Sequence, residues 1–196
     1  KRAVSNSVNA FGGIDILVAN AGFASAALFE KTSSKLWDKN MDILSKGCFL
    51  ISREVYQKMI DQKNGGSIIF VSSKNSLNAS KGASAYSVAK SSLLHLSRSI
   101  ALEGSSHKIR SNVVNPDAVI QNSKIWQGEW TKQRAISNKI SVNQVEEFYK
   151  NRSLLKVSIL PEDIAEGIYF FASSKSKKST GNIINVDGGN ITSFTR

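Results

Sequence analysis

Ser67-Ile68-Ile69-Phe70-Val71 is a short apolar run flanked by Gly66 and Ser72. Such a run is typical of a strand that is buried on both faces of a parallel sheet. Three further segments are assigned the same role: 15–19, 109–114 and 182–186. The sequence therefore predicts at least four strands of one parallel sheet.

Helical segments separate these strands. Apolar residues recur at spacings of three and four in the long segment 33–62, and helices are also predicted over 1–11 and 84–103. Pro161, followed by two acidic residues, predicts the start of a helix over 161–173. The alternation predicts an α/β fold with a doubly wound, Rossmann-like parallel sheet, in which ligands bind beyond the carboxyl ends of the strands.

Residues 120–160 depart from the alternation. They contain Trp126 and Trp130, and Ser141 with Gln144 has the spacing of a helix capping box. Because the segment follows the third strand, we expect a helical insertion that serves as a substrate lid. The two tryptophans either pack this lid onto the domain or contact the substrate.

The composition narrows the classes of partner. The 196 residues include 26 Lys and Arg against 15 Asp and Glu, a formal net charge of +11. No nucleic-acid-binding motif accompanies this charge, which favours a solvated basic surface. The single cysteine, Cys48, cannot form an internal disulfide, and no His/Cys cluster has metal-site spacing. We expect a cytoplasmic protein without a nucleic-acid, membrane or metal partner.

Three polar side chains form a candidate catalytic set. Tyr86 and Lys90 are four residues apart, so they share one face of a helix. A nearby ammonium favours the phenolate and lowers the pKa of a tyrosine, which helps it to move a proton on or off an alcohol. Ser73 follows a predicted strand and can reach the same reaction centre, although a serine there can also simply cap the strand end.

These residues and three further motifs resemble the short-chain dehydrogenase/reductase family over nearly the whole chain. The three motifs are turns that follow predicted strands: Ala19-Asn20-Ala21-Gly22, Asn115-Pro116 and Val186-Asp187-Gly188-Gly189. The resemblance implies an enzyme that transfers hydride between a nicotinamide cofactor and a small-molecule substrate.

By this resemblance, Tyr86 is the general acid/base and Ser73 hydrogen-bonds the reacting oxygen. Lys90 lowers the pKa of Tyr86 and binds the nicotinamide ribose. The cofactor cleft is bordered by Asn20, Ala21, Gly22, Tyr86, Lys90, Pro116 and Val119. The cofactor is NAD or NADP, with NAD favoured by the resemblance alone.

Three positions depart from the family's pattern. Leu44 stands where the family has the asparagine of a proton relay, and Asn40, one turn earlier, is a candidate replacement. Asp117 replaces the usual glycine after the proline, and Gln121 replaces a threonine that contacts the carboxamide. These departures motivate the rival hypothesis of a degenerate fold that serves as a binding or regulatory module without turnover.

None of the 13 glycines forms the family's pyrophosphate-binding turn. At roughly 30 residues for each βαβ unit, we expect about 60–80 residues of the fold to precede Lys1. Residues 1–196 are thus predicted to be the C-terminal portion of a single dinucleotide-binding domain that lacks its first βαβαβ half. Such a piece should bind nucleotide poorly and leave the strand at 15–19 as an open edge.

Other segments resemble the dehydrogenase half of bifunctional rhamnulose-1-phosphate aldolase/lactaldehyde dehydrogenase proteins. These segments are 115–119, 124–126, 128–130, 154–157 and 160–163. This second resemblance implies an aldolase module upstream of the chain and oxidation of lactaldehyde in rhamnose breakdown. The family resemblance also implies a homo-oligomer assembled through helices 33–62 and 84–103.

Overall fold

The computed structural model describes residues 1–194, so the last two residues of the predicted domain 1–196 lie outside it. Four parallel strands form one sheet in chain order: β1 (Ile16–Ala19), β2 (Gly66–Val71), β3 (Ile109–Pro116) and β4 (Ile183–Val186). Ala19 pairs with Phe70, and Phe70 pairs with Val113. The strands therefore end at one common edge, as the predicted fold class requires.

Helices cover both faces of the sheet, which confirms the doubly wound prediction. Those that follow the predicted alternation are α1 (Arg2–Phe11), α2 (Ser34–Asn40), α3 (Gly47–Gln62), α4 (Ser84–Gly104) and α7 (Pro161–Ala172). The segment predicted as one helix over 33–62 contains a π-helical stretch at Met41–Lys46, between α2 and α3. Such a stretch inserts extra backbone into a helix and is often found at functional sites.

Strand β2 divides the apolar core in two. Ile68 and Phe70 face a core built with α3 and α4, whereas Ile69 and Val71 face a second core built with α7. This separation follows from the alternation of side chains along a strand. All four side chains are less than a tenth exposed, so β2 is buried on both faces as predicted.

Strand β1 differs from that prediction. Ile16 and Val18 remain 48% and 40% exposed, while Leu17 packs against the first core. The side chains on one face of β1 are therefore only partly covered by residues 1–194. The strand is also an edge of the described sheet, as we expected for 15–19.

The segment 120–160 is helical, as predicted. It contains α5 (Glu129–Asn138) and α6 (Val145–Asn151), and the capping box forms where the Ser141 amide donates to Gln144 Oε1 at 2.9 Å. No helix in the described part of the chain is long and apolar enough to cross a membrane.

Gly65 provides a test of the turn that leads into β2. Its φ is +76°, and a Cβ there would lie 2.6 Å from the Lys108 carbonyl oxygen. We expect Gly65→Ala to lower the free energy of unfolding by about 2–4 kcal/mol in the full-length protein, from backbone strain together with a clash. Urea denaturation measures the change.

Gly12 is the matched control, because its φ is +82° but a Cβ there would meet nothing within 4 Å. Gly12→Ala should therefore lower the free energy of unfolding by only about 1 kcal/mol, because backbone strain is its only effect. Equal losses of stability in the two variants would contradict a clash between the added Cβ at position 65 and the Lys108 carbonyl oxygen.

Candidate active site

A cavity of about 820 Å³ opens beyond the carboxyl ends of β1, β2 and β3. Its volume is within the usual range for sites that bind small molecules and cofactors. Every residue predicted for the site lines it: Asn20, Ala21, Gly22, Ser73, Tyr86, Lys90, Pro116 and Val119. The structure thus brings together residues from four separate segments of the chain, although their chemical roles remain predictions.

The two serines at the end of β2 do different work. Ser72 Oγ donates to the main-chain carbonyl of Lys90 at 2.9 Å and so ties α4 to the strand. Ser73 Oγ accepts from the Asn75 amide at 3.2 Å, which caps a short 3₁₀ helix at Lys74–Ser76. Capping and chemistry are compatible for Ser73, because its hydroxyl also reaches Tyr86.

Tyr86 lies on the first turns of α4 and is 9% exposed. Burial raises the pKa of its phenol, and the hydrogen bond with Ser73 offsets part of the rise. The ring of Trp130 packs against it with the centroids 5.6 Å apart. The phenol is therefore held in an apolar wall with Ser73 as its polar neighbour.

Lys90 is 6% exposed and donates to the Val71 carbonyl at 2.8 Å. Burial lowers the pKa of this ammonium to about 8. We expected Lys90 to lower the pKa of Tyr86, but in this structure burial dominates and the pKa of Tyr86 is raised. The ammonium of Lys90 is bound to a main-chain oxygen and is itself destabilised by burial, which limits its effect on the phenol.

Asn40 does not take the place of the missing relay asparagine in this structure. The side chain is fully buried, and its amide donates to Ser25 Oγ at 2.8 Å and to the Leu36 carbonyl at 2.7 Å. Both of its N–H groups are thereby used. Leu44 instead lies at the site within the π-helical stretch, and a Cβ on Gly22 would be 3.2 Å from its Cδ2.

The lid closes one side of the cavity with aromatic rings. Trp126 and Trp130 both line the cavity and pack edge to face with their centroids 6.2 Å apart. Trp126 in turn packs on Tyr149 of α6 at 5.0 Å. The alternatives for the two tryptophans are therefore not exclusive, because the same rings attach the lid and face the cavity.

Asp117 and Gln121, the two departures beside Pro116, anchor the lid. Asp117 forms an ion pair with Arg152 at the end of α6. Gln121 Nε2 donates to Glu146 Oε1 at 2.8 Å. Both residues therefore have a structural reason to differ from the family's pattern.

The sequence pattern gave no role to Lys74, and it indicated Asn115 only as part of the Asn115-Pro116 motif. Lys74 is 7% exposed and lines the cavity next to Ser73. Asn115 is fully buried and accepts from Ser76 Oγ at 3.2 Å, while Ser76 Oγ also donates to the Ser73 carbonyl at 2.6 Å. The only available hint for Lys74 was its position directly after Ser73.

The residues present fit the nicotinamide ribose end of a dinucleotide. The Lys90 ammonium uses one of its three donors on the Val71 carbonyl, which leaves donors for ribose hydroxyls. Gly22 lies beside it, since a Cβ on Gly22 would be 3.8 Å from Lys90 Nζ. The glycine-rich turn that would bind the pyrophosphate is not in this sequence.

Comparisons with known proteins show which families and folds this chain is similar to. A family model described as enoyl-(acyl carrier protein) reductase matches residues 1–190. An uncharacterized oxidoreductase, YuxG of Bacillus subtilis, is 51% identical over 99% of this chain, which spans 28% of that protein's length. An uncharacterized oxidoreductase of Thermotoga maritima is 37% identical over 96% of the chain and 72% of its own length.

Among solved structures, sorbitol-6-phosphate 2-dehydrogenase from Erwinia amylovora superposes with a TM-score of 0.91 and 30% identity. The match covers 96% of this chain and 73% of that structure. The fold is thus that of solved oxidoreductase structures.

The contacts of Asn40 lead to the first prediction for the site. Asn40→Ala should lower the free energy of unfolding by about 1–3 kcal/mol, because the part-buried Leu36 carbonyl and Ser25 hydroxyl lose their partner. The turnover number should not change. Urea denaturation and steady-state rates of the full-length protein measure the two effects.

Asn138 serves as the control, because its amide makes the same type of bond, to the Arg134 carbonyl at 2.7 Å, from a less buried position. Asn138→Ala should lower the free energy of unfolding by less than Asn40→Ala does. A tenfold drop in rate for Asn40→Ala without loss of stability would instead favour a relay role.

Burial of Lys90 predicts a pH-dependent stability. Its pKa is about 8 in the folded protein, against 10.5 for an ordinary lysine. Between these values the unfolded chain binds a proton that the folded chain does not, so stability rises with pH in this window. Between pH 8 and pH 10, the free energy of unfolding of the parent should rise by roughly 2 kcal/mol more than that of Lys90→Met.

Denaturant titrations at several pH values provide the measurement. Lys132→Met, which removes an exposed lysine of α5, should keep the parental pH profile. Identical profiles for the parent and Lys90→Met would show that the ammonium of Lys90 is not destabilised by burial.

Proposed function

The chain belongs to the short-chain dehydrogenase/reductase family, and from this premise we propose that it carries the reaction centre of a nicotinamide-dependent oxidoreductase. The reaction would transfer hydride between NAD or NADP and a small alcohol, aldehyde or sugar-derived substrate. The observation that carries the proposal is the meeting of Ser73, Tyr86 and Lys90 on one wall of the cavity.

When bound, the nicotinamide cofactor supplies the carbon that accepts or donates hydride. In the direction of carbonyl reduction, the neutral Tyr86 phenol, whose pKa is raised by burial, donates its proton to the carbonyl oxygen. The Ser73 hydroxyl holds the same oxygen by a hydrogen bond. Lys90 holds the ribose hydroxyls. Trp126 and Trp130 shield the reacting atoms from water on the lid side.

Two substrate types have support. The second resemblance favours lactaldehyde, formed by an upstream aldolase in rhamnose breakdown. The length of the 51% identical relative is consistent with an additional module, since the matched segment is 28% of it. The name of the Erwinia enzyme, in contrast, points to a phosphorylated polyol. NAD remains favoured over NADP only by resemblance.

The rival hypothesis of a binding or regulatory module without turnover gains no support. Asp117 and Gln121, which motivated it, hold the lid in place. Leu44 is the one departure that still bears on the reaction, because it leaves the route of the proton to solvent unassigned.

Assembly and location complete the proposal. A homo-oligomer is supported by apolar side chains that remain 41–78% exposed on the helical segment 34–62 and on α4: Ile43, Phe49, Leu50, Val88 and Leu102. We assign the reaction to the cytoplasm, because Cys48 is a buried free thiol, as is usual in a reducing compartment.

Tyr86→Phe tests the assignment in the full-length protein. The change removes the proton carrier and keeps the ring, so turnover should fall by about 10²–10⁴-fold while cofactor affinity stays within a few-fold. Reduction of NAD or NADP followed by absorbance measures the rate, and calorimetry measures cofactor binding.

Tyr56→Phe is the matched control, because Tyr56 packs against the core formed with α3 and α4. It should keep the parental rate. A Tyr86→Phe enzyme that retains a rate within tenfold of the parent would exclude Tyr86 as the acid/base.

A further inference from the structure

Lys74 is a buried cation at the reaction centre that the mechanism does not use. It follows Ser73 directly, begins the short 3₁₀ helix at Lys74–Ser76, and is 7% exposed. Lys74 lines the same cavity as Tyr86, Trp126 and Trp130. Burying an ammonium is costly unless it is paired and hydrogen-bonded.

The protein satisfies this ammonium only in part. Lys74 Nζ donates to Ser80 Oγ at 3.2 Å, and the Ser80 hydroxyl is committed in turn to Asn75 Oδ1 at 2.9 Å. No carboxylate oxygen of residues 1–194 lies within 4 Å of Lys74 Nζ. Since an ammonium has three donors, two are left for a ligand in the cavity.

The two acidic groups that act on Lys74, Asp117 and Asp187, form no ion pair with it. Asp117 accepts from Arg152 and, at 3.0 Å, from Asn190 Nδ2. Asp187 Oδ1 accepts from the Gly189 amide at 2.9 Å, whereas Asp187 Oδ2 is buried without a hydrogen-bond partner among the described residues. These carboxylates act on Lys74 only at longer range.

Further cations strengthen the positive character of this end of the cavity. Arg134 and Arg152 both act on Lys74, so three cations face the two carboxylates of Asp117 and Asp187. Arg134 is 3% exposed and lies over the Trp130 ring, 4.6 Å from its centroid. Burial lowers the pKa of Lys74 to about 8, which still leaves the ammonium mostly charged at pH 7.

We propose that Lys74 determines specificity by binding an anionic group of the substrate, a carboxylate or a phosphate, while Ser73 and Tyr86 hold the reacting oxygen. The inference rests on the proposed function and narrows its substrate class. Because Lys74 and Ser73 are neighbours on the cavity wall, one small substrate can reach both. A neutral substrate would leave the ammonium without a partner, whereas an anion would use its free donors.

The test compares matched neutral and anionic substrates with the full-length protein and its preferred cofactor. One pair is sorbitol and sorbitol 6-phosphate, the other is 1,3-butanediol and 3-hydroxybutyrate, and lactaldehyde is a further neutral probe. The anionic member of at least one pair should have a kcat/KM at least tenfold higher. The pair that shows the preference identifies phosphate or carboxylate as the group bound.

Lys74→Met should remove this preference by lowering kcat/KM at least tenfold for the anionic substrate, chiefly through KM, and less than threefold for the neutral one. Lys74→Arg keeps the charge and should retain part of the preference. Lys81→Met removes an exposed lysine from the same loop and should leave both substrates unchanged. If Lys74→Met does not fold, Lys74→Gln takes its place.

Equal use of neutral and anionic substrates by the parent would overturn the inference and leave the proposed function intact. An equal loss for both members of a pair in Lys74→Met would also overturn it, since a merely structural lysine acts in that way.

If the parent reduces neither cofactor with any substrate, the proposed function fails, and calorimetry with inorganic phosphate and with acetate decides the inference separately. Tighter binding of either anion to the parent than to Lys74→Met would support it. Equal binding would exclude it.

Discussion

Two hydrogen bonds between β2 and α4 position the rest of the site. Lys90 Nζ donates to the Val71 carbonyl, and Ser72 Oγ donates to the Lys90 carbonyl, so one residue of α4 is bound twice to the end of the strand. Both bonds are buried, which makes each expensive to leave unmade. They fix the helix at the point from which Tyr86, one turn earlier, meets Ser73.

The site combines these two hydrogen bonds with two buried positive charges, which is an unfavourable arrangement. Lys74 and Lys90 are both more than nine-tenths buried, and burial lowers the pKa of each to about 8. Two apolar cores on opposite faces of the sheet hold the strands and helices that keep these ammonium groups in place. Burying these ammonium groups costs free energy. A ligand that pairs with either ammonium offsets part of that free energy, which favours binding.

The lid shows how departures from a family pattern can have a local structural cause. Asp117 pairs with Arg152, and Gln121 bonds Glu146, so residues that would border a cofactor instead attach α6 to the end of β3. The aromatic contacts from Trp126 to Trp130 and on to Tyr86 complete this attachment. The shape of the substrate end of the cavity therefore depends on residues far from the catalytic set in sequence.

The sequence by itself determined the order and type of the elements, and it predicted that Ser73, Tyr86 and Lys90 form a catalytic set. Apolar runs and helical periodicity are local signals, and one turn of helix joins Tyr86 and Lys90. Ser73 lies on a separate segment, and the family resemblance added it to the set. The tertiary structure decided which side chains are buried and which distant groups they contact. It left Ile16 and Val18 exposed at an open edge, and it raised the pKa of Tyr86.

The surroundings of Asn40 and Lys74 could not be predicted from the sequence either. The amide of Asn40 donates to Ser25, fifteen residues away, and Lys74 borders a cavity that Trp126 and Trp130 of the lid also line. Neither contact has a periodic or motif signature, because each arises only when segments from different parts of the chain pack together. The polar partners available to a buried side chain, and hence its role, are a property of that packing.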